Sequence, residues 1–165
     1  GRGSYTGTWS NDSWAKDKTV LIVGSGSWIQ NNIDTLIDFI KSNNPVVISL
    51  NTNSPLPEEY VSAFAACHLL RFAMEGKRYL ELSKPLIAPK AALPEKIQAC
   101  LGTDRHFDYG MTIKSGTFTA AETGCTIPHQ LAVAYAMAFA NSAEATKILM
   151  AGFDGYDSDD PRPGS

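Results

Sequence analysis

Thr19-Val-Leu-Ile-Val23, followed at once by Gly24, Ser25, Gly26 and Ser27, is the stretch that decides the fold. A continuous β-branched and apolar run ended by glycines reads as a strand buried on both faces, and such strands belong to parallel sheets covered by helices. The next apolar positions, Ile29, Ile33, Leu36, Ile37 and Ile40, recur at helical spacing until Asn43-Asn44-Pro45 ends the helix. Val46-Val-Ile-Ser-Leu50 repeats the buried-strand pattern, which makes residues 19–50 a βαβ unit.

Working outward, Tyr60 to Cys67 reads as a third strand, Leu69 to Leu82 as a helix, and Leu86-Ile-Ala88 as a short fourth strand. A helix from Pro94 to Leu101 has its proline in the first turn, where no N–H is needed. His106 to Lys114 and Thr117 to Glu122 read as a hairpin about Ser115-Gly116. Leu131 to Ala143 is Ala-rich and apolar on most faces, a buried helix, and Lys147-Ile-Leu-Met-Ala151 is a last core strand. This alternation, with right-handed crossovers, predicts a Rossmann-like three-layer α/β sandwich with a mostly parallel central sheet. Residues 1–17 read as a leader with a tag-like start that docks through Tyr5, Trp9 and Trp14, residues 18–157 as a single domain, and residues 158–165 as a truncated tail.

Composition bounds the partners. The chain has 165 residues, with 14 Lys plus Arg against 17 Asp plus Glu, and 44% are hydrophobic, enough for one domain with its own core. A net charge of −3 gives no electrostatic footprint for nucleic acid or an anionic membrane. The longest apolar stretch, Leu131 to Ala140, is well short of the roughly 18 residues a membrane span requires, and no basic-then-apolar signal segment opens the chain. A soluble, cytoplasmic protein is the expectation. Cys67, Cys100 and Cys125 form no CxxC and suggest buried thiols rather than a disulfide framework or a zinc site.

Four features bear on chemistry. Gly24, Ser25, Gly26 and Ser27 stand between a strand and a helix, where small residues let backbone N–H groups and hydroxyls approach a phosphate. The dinucleotide fingerprint is incomplete, since no glycine stands at or near Gln30 and Asn51 replaces the acidic ribose ligand. A tight turn without a ligand is the other reading. Asn51 and Asn53, in Asn51-Thr-Asn53, end the second strand at the edge that lines the crevice of such sheets; an amide there serves a ribose or base, or simply a turn. Thr123 and Gly124 precede Cys125-Thr126 and the Ala-rich helix, where Thr126 reads as an N-cap with or without an anion. Asp154 and Asp157, with Asp159 and Asp160, could hold Mg²⁺ or form a solvated loop. His68 and His129, at predicted element boundaries, complete the catalytic candidates with Asp154.

The order of buried strand, Gly-Ser-Gly-Ser, strand ending in Asn51, Thr123-Gly124, Ala-rich helix and Ile148-Leu-Met-Ala-Gly-Phe-Asp154 resembles a Rossmann-like superfamily. It includes bacterial sialyltransferases that use CMP-activated sugars and MptE-like pterin diphosphokinase domains. That likeness implies nucleotide contacts at Gly24, Ser25, Gly26, Ser27, Asn51, Asn53, Thr123 and Gly124. The sialyltransferase catalytic base is a His downstream of the Gly-x-Asp strand, and no His follows Asp154 here, so His68 or His129 would have to replace it.

A second likeness covers more of the chain. Pro57-Glu-Glu-Tyr-Val61, Ala66-Cys-His68, Pro85-Leu-Ile-Ala-Pro89, Glu122-Thr-Gly-Cys125 and Ala151-Gly-Phe-Asp-Gly-Tyr156 with Asp159-Asp-Pro-Arg162 resemble the carboxy-terminal region of aldolases. These are similar to 4-hydroxy-2-oxovalerate aldolases and the HMG-CoA-lyase-like group, and occur in surface-polysaccharide biosynthesis. The likeness implies a parent lyase whose amino-terminal TIM barrel carries the carbon–carbon chemistry, with this chain as an accessory domain for a nucleotide, of CMP type, or a nucleotide-sugar. Two other readings stand beside it. One is a glycosyltransferase or Mg²⁺-dependent diphosphotransferase acting in the crevice. The other is a non-catalytic assembly domain, with which an oligomer is compatible.

Overall fold

Val20 and Ile22 pack into one hydrophobic cluster while Leu21 and Val23 pack into a second, so the first strand, β1 (Thr19–Val23), is buried on both faces. The computed structural model describes residues 6–10, 13–50, 52, 55–68, 74, 78, 79, 81–101 and 106–153. Five further strands join β1 in one all-parallel sheet: β2 (Val46–Ser49), β3 (Ala63–Ala65), β4 (Leu86–Ala88), β5 (His106–Asp108) and β9 (Lys147–Ala151). Their order is β5-β4-β3-β2-β1-β9. The chain therefore steps in one direction from β1 to β5, then returns to the far side of β1, where Thr19 pairs with Lys147 and Val23 with Ala151.

The outward and return paths cover opposite faces. On one face lie α1 (Ser27–Asn31) and α2 (Ile33–Asn43), whose Ile29, Leu36 and Ile40 pack on Leu21, Val23 and Val47. On the other lie α4 (Ala132–Ser142) and a second, three-stranded sheet, whose Phe139, Tyr135 and Ile127 pack on Val20, Ile22 and Ile48. The protein is a Rossmann-like α/β sandwich of three layers. Among the described residues no helix is long and apolar enough to cross a membrane.

The expected first helix is two. Asn32 leaves helical geometry at φ −131°, and its side-chain N–H donates to the Trp28 carbonyl at 2.9 Å, closing α1 locally before α2 begins. α2 ends at Asn44 in the left-handed region (φ 48°), whose N–H donates to the Ile40 carbonyl at 2.8 Å, and Pro45 follows. The expected third strand shortens to β3, and Tyr60 belongs instead to a 3-10 turn, Glu58–Tyr60. The expected helix over 69–82 falls mostly outside the described residues. α3 (Glu95–Leu101) follows Pro94 as expected.

The expected hairpin is not formed. Ser115-Gly116 does turn, with Gly116 at φ 70° and Thr117 N–H donating to Lys114 O at 3.2 Å, but its flanks are not partners. β6 (Gly110–Ile113) pairs parallel with β8 (Gly124–Ile127), and β7 (Thr119–Ala120) pairs antiparallel with the other side of β8. The stretch 106–114 splits because Tyr109 is buried completely between the two sheets. Its N–H donates to the Ala88 carbonyl at 3.2 Å, its carbonyl accepts the Tyr135 hydroxyl at 2.6 Å, and its own hydroxyl lies 2.5 Å from Ser142 Oγ. β9, expected in the core, is an outer strand with Lys147 and Met150 exposed. Trp9 is buried against Phe139, with ring centres 4.6 Å apart, and Trp14 meets the same ring at 5.7 Å.

Candidate functional site

In an open α/β sheet, ligands bind outside the carboxyl ends of the strands where the strand order reverses. Here that point lies between β1, which leads outward to β2, and β9, which arrives by the return path. Two hydrogen bonds join these strands beyond the sheet: Gly24 N–H donates to Ala151 O and Gly26 N–H to Gly152 O, both at 2.8 Å. The close approach explains the glycines. A Cβ on Gly24 would lie 2.8 Å from Gly152 O, and one on Gly152 would lie 2.3 Å from Ile29 Cδ1. Gly152 also has φ 79°, a conformation glycine adopts without a Cβ penalty.

This joint revises the expected phosphate cradle. The N–H groups of Gly24 and Gly26 are spent on β9, and α1, capped by no side chain, spans only Ser27–Asn31. What faces outward is Ser25, exposed at the tip of the turn, with Ser27 exposed beside it. Next to the turn, Trp28, Met150, Ala151, Gly152 and Phe153 line a hollow of about 360 Å³. Trp28 and Phe153 are each 39% exposed and Met150 is 52% exposed. The sequence offered a signal for them, since Trp28 follows Gly24–Ser27 directly and Phe153 follows Gly152.

Farther along the same edge, Thr52 follows β2 and half-buried His68 follows β3. The Thr52 hydroxyl is buried without a hydrogen-bond partner, a state that most buried polar groups avoid. Asn51, Asn53, Asp154 and Asp157 lie outside the described residues. Among the described residues no group of three or more His, Cys, Asp or Glu is placed to hold a metal ion.

Thr123 and Gly124 belong elsewhere. Gly124 opens β8 in the second sheet with Thr123 just before it, and the Thr123 carbonyl accepts N–H groups from Gly7 (2.8 Å) and Gly110 (2.9 Å). A Cβ on Gly124 would lie 3.0 Å from Gly110 Cα, so this glycine too is set by backbone approach. Thr126 is not an N-cap. Cys125 and Ile127 are buried while Gly124 and Thr126 are half-buried, the period of a strand, and α4 begins only at Ala132, capped by Leu131 without a side-chain bond. His129 is exposed in the connection from β8 to α4. Cys67 and Cys125 are buried free thiols, and burial pushes each up to about 12. They are poor nucleophiles at neutral pH.

The fold and the switch-point edge define the class: a Rossmann-like sandwich whose crevice lies at β1 and β9. No family model, curated protein or solved structure matches the chain.

Proposed function

We propose that this domain binds a nucleotide or nucleotide-linked sugar at the carboxyl edge around β1, β2 and β9, as the accessory domain of an aldolase-type lyase in surface-polysaccharide biosynthesis. The observation that carries the binding reading is the reversal of strand order at β1 and β9, which coincides with an exposed Ser25, a hollow of about 360 Å³ and the Thr52 hydroxyl on the neighbouring strand end. The parent lyase and its amino-terminal barrel rest on the resemblance of the stretches from Pro57 to Arg162. With the N–H groups of Gly24 and Gly26 already used, phosphate contacts would come from the hydroxyls of Ser25 and Ser27.

Calorimetric titration of CMP, a CMP-sugar and ATP, each with and without Mg²⁺, tests this directly. Binding of CMP or CMP-sugar without metal is the expected result. Binding of ATP that requires Mg²⁺ would instead favour the diphosphotransferase reading, and no heat with any of them would end both.

A further inference from the structure

The carboxyl edge is divided by chemistry. At its β9 end the hollow is lined by Trp28, Met150, Ala151, Gly152 and Phe153, brought there from α1 and from the end of β9; Trp28, Met150 and Phe153 are three of the seven exposed large apolar side chains among the described residues. Exposed apolar side chains that converge on one hollow mark a binding surface more often than scattered ones do. Among the described residues the lining holds no cation, and the N–H groups of Gly24 and Gly26 in the adjoining turn are already hydrogen-bonded. The hydroxyl of Ser25 and the strand ends carrying Thr52 and His68 lie on the other side, along β1, β2 and β3.

The backbone that carries both rings is fixed to the sheet. Phe153 follows Gly152, whose carbonyl accepts the Gly26 N–H, and the Phe153 ring packs so close to Gly24 that a Cβ there would lie 2.9 Å from it. Trp28 sits on the first turn of α1, one residue before Ile29, which is fully buried and fixes that turn to the sheet. Two aromatic side chains beside Ala151 and Gly152 suit a planar ring, which stacks on aromatic side chains whatever its hydrogen-bonding pattern.

We propose that the hollow beside Trp28 and Phe153 is the subsite for the heteroaromatic ring of a nucleoside, so that the ligand lies with its base at β9 and its sugar and phosphate toward Ser25 and the ends of β2 and β3. The proposal rests on the nucleotide reading above and adds the ligand's direction and the group that anchors it. It makes Trp28 and Phe153 binding residues that read a flat ring rather than a charge.

The experiment is calorimetric titration of CMP, cytidine and ribose 5-phosphate into the full chain, compared with Trp28→Ala, Trp28→Phe and Phe153→Ala. Trp28 is substantially exposed, so unchanged circular dichroism and thermal midpoint are expected for its variants. Loss of a stacking ring weakens binding roughly 5- to 150-fold, so CMP and cytidine should lose that factor in Trp28→Ala, keep most of their affinity in Trp28→Phe, and ribose 5-phosphate should bind all variants alike. Should one alanine variant fail to fold, the other carries the comparison. CMP binding that is unchanged in both alanine variants would overturn the ring subsite while leaving the nucleotide reading intact. No binding of CMP to the unaltered chain would overturn both.

Discussion

Two glycine joints in this protein look alike in sequence and differ in space. Gly24 meets Gly152 where β1 passes β9, and Gly110 meets Gly124 where β6 passes β8. In each, a Cβ would strike the neighbouring backbone, at 2.8 Å from Gly152 O in the first and 3.0 Å from Gly110 Cα in the second. The second joint is covered: Gly7 N–H donates to Thr123 O, Trp9 N–H donates to Asp108 O, and Cys125 and Ile127 are buried beside it. The first opens onto solvent through Ser25 and a ring-lined hollow. The glycines therefore report backbone approach in both places. Only what surrounds the joint separates a ligand site from a packing contact.

The largest expected effect is at the open joint. Gly152→Val combines a left-handed backbone with a side chain driven into Ile29, and should cost about 2–5 kcal/mol in urea unfolding. Paired with Ile29→Ala, it should cost less than the sum of the two single changes, because the smaller side chain relieves the clash. Additive costs would mean that the joint gives way without involving Ile29.

Gly124→Ala comes next, at about 1–3 kcal/mol, since the neighbouring Gly110 backbone must shift to admit a methyl group. It should leave CMP affinity unchanged in the folded fraction. A loss of affinity without loss of stability would place the ligand at the second joint and erase the distinction between the two.

The smallest effect expected is none at all. Cys125 and Cys67, each pushed up to about 12 by burial, should resist alkylation at pH 8 in the native chain and react once it is unfolded in urea. The sign for stability follows from the raised pKa: the neutral buried thiol contributes fully below the ordinary thiol value near 9 and loses that contribution as pH rises toward 12. Rapid native alkylation of Cys125 would show that the second joint is open after all.

Much of the first layer could be read from residues alone. β1, β2 and β4 are continuous apolar runs bounded by glycine, proline or asparagine, and the helices α2, α3 and α4 carry clear apolar patterns or stop signals. The second sheet could not be read in this way. β6 and β8 pair in parallel across a turn and β7, a contact between distant residues that no local pattern reveals, and Tyr109 ends β5 by hydrogen bonds to partners far along the chain. Thr126 misled because threonine serves equally as an N-cap and as a strand residue, and burial alternation decides between them only once the fold is formed. The same holds for the candidate site. Gly24, Ser25, Gly26 and Ser27 were visible as a motif, whereas the hollow depends on Trp28 and Phe153, distant in the chain, being brought to one place, which the pairing of β1 with β9 does.

The most direct test of the claim that one joint binds and the other only packs is an amide NMR titration of the full chain with CMP. The expected result is that the resonances of Ser25, Trp28 and Thr52 move while those of Thr123 and Gly124 stay in place. Movement at Thr123 and Gly124 with Ser25 and Trp28 unmoved would contradict it.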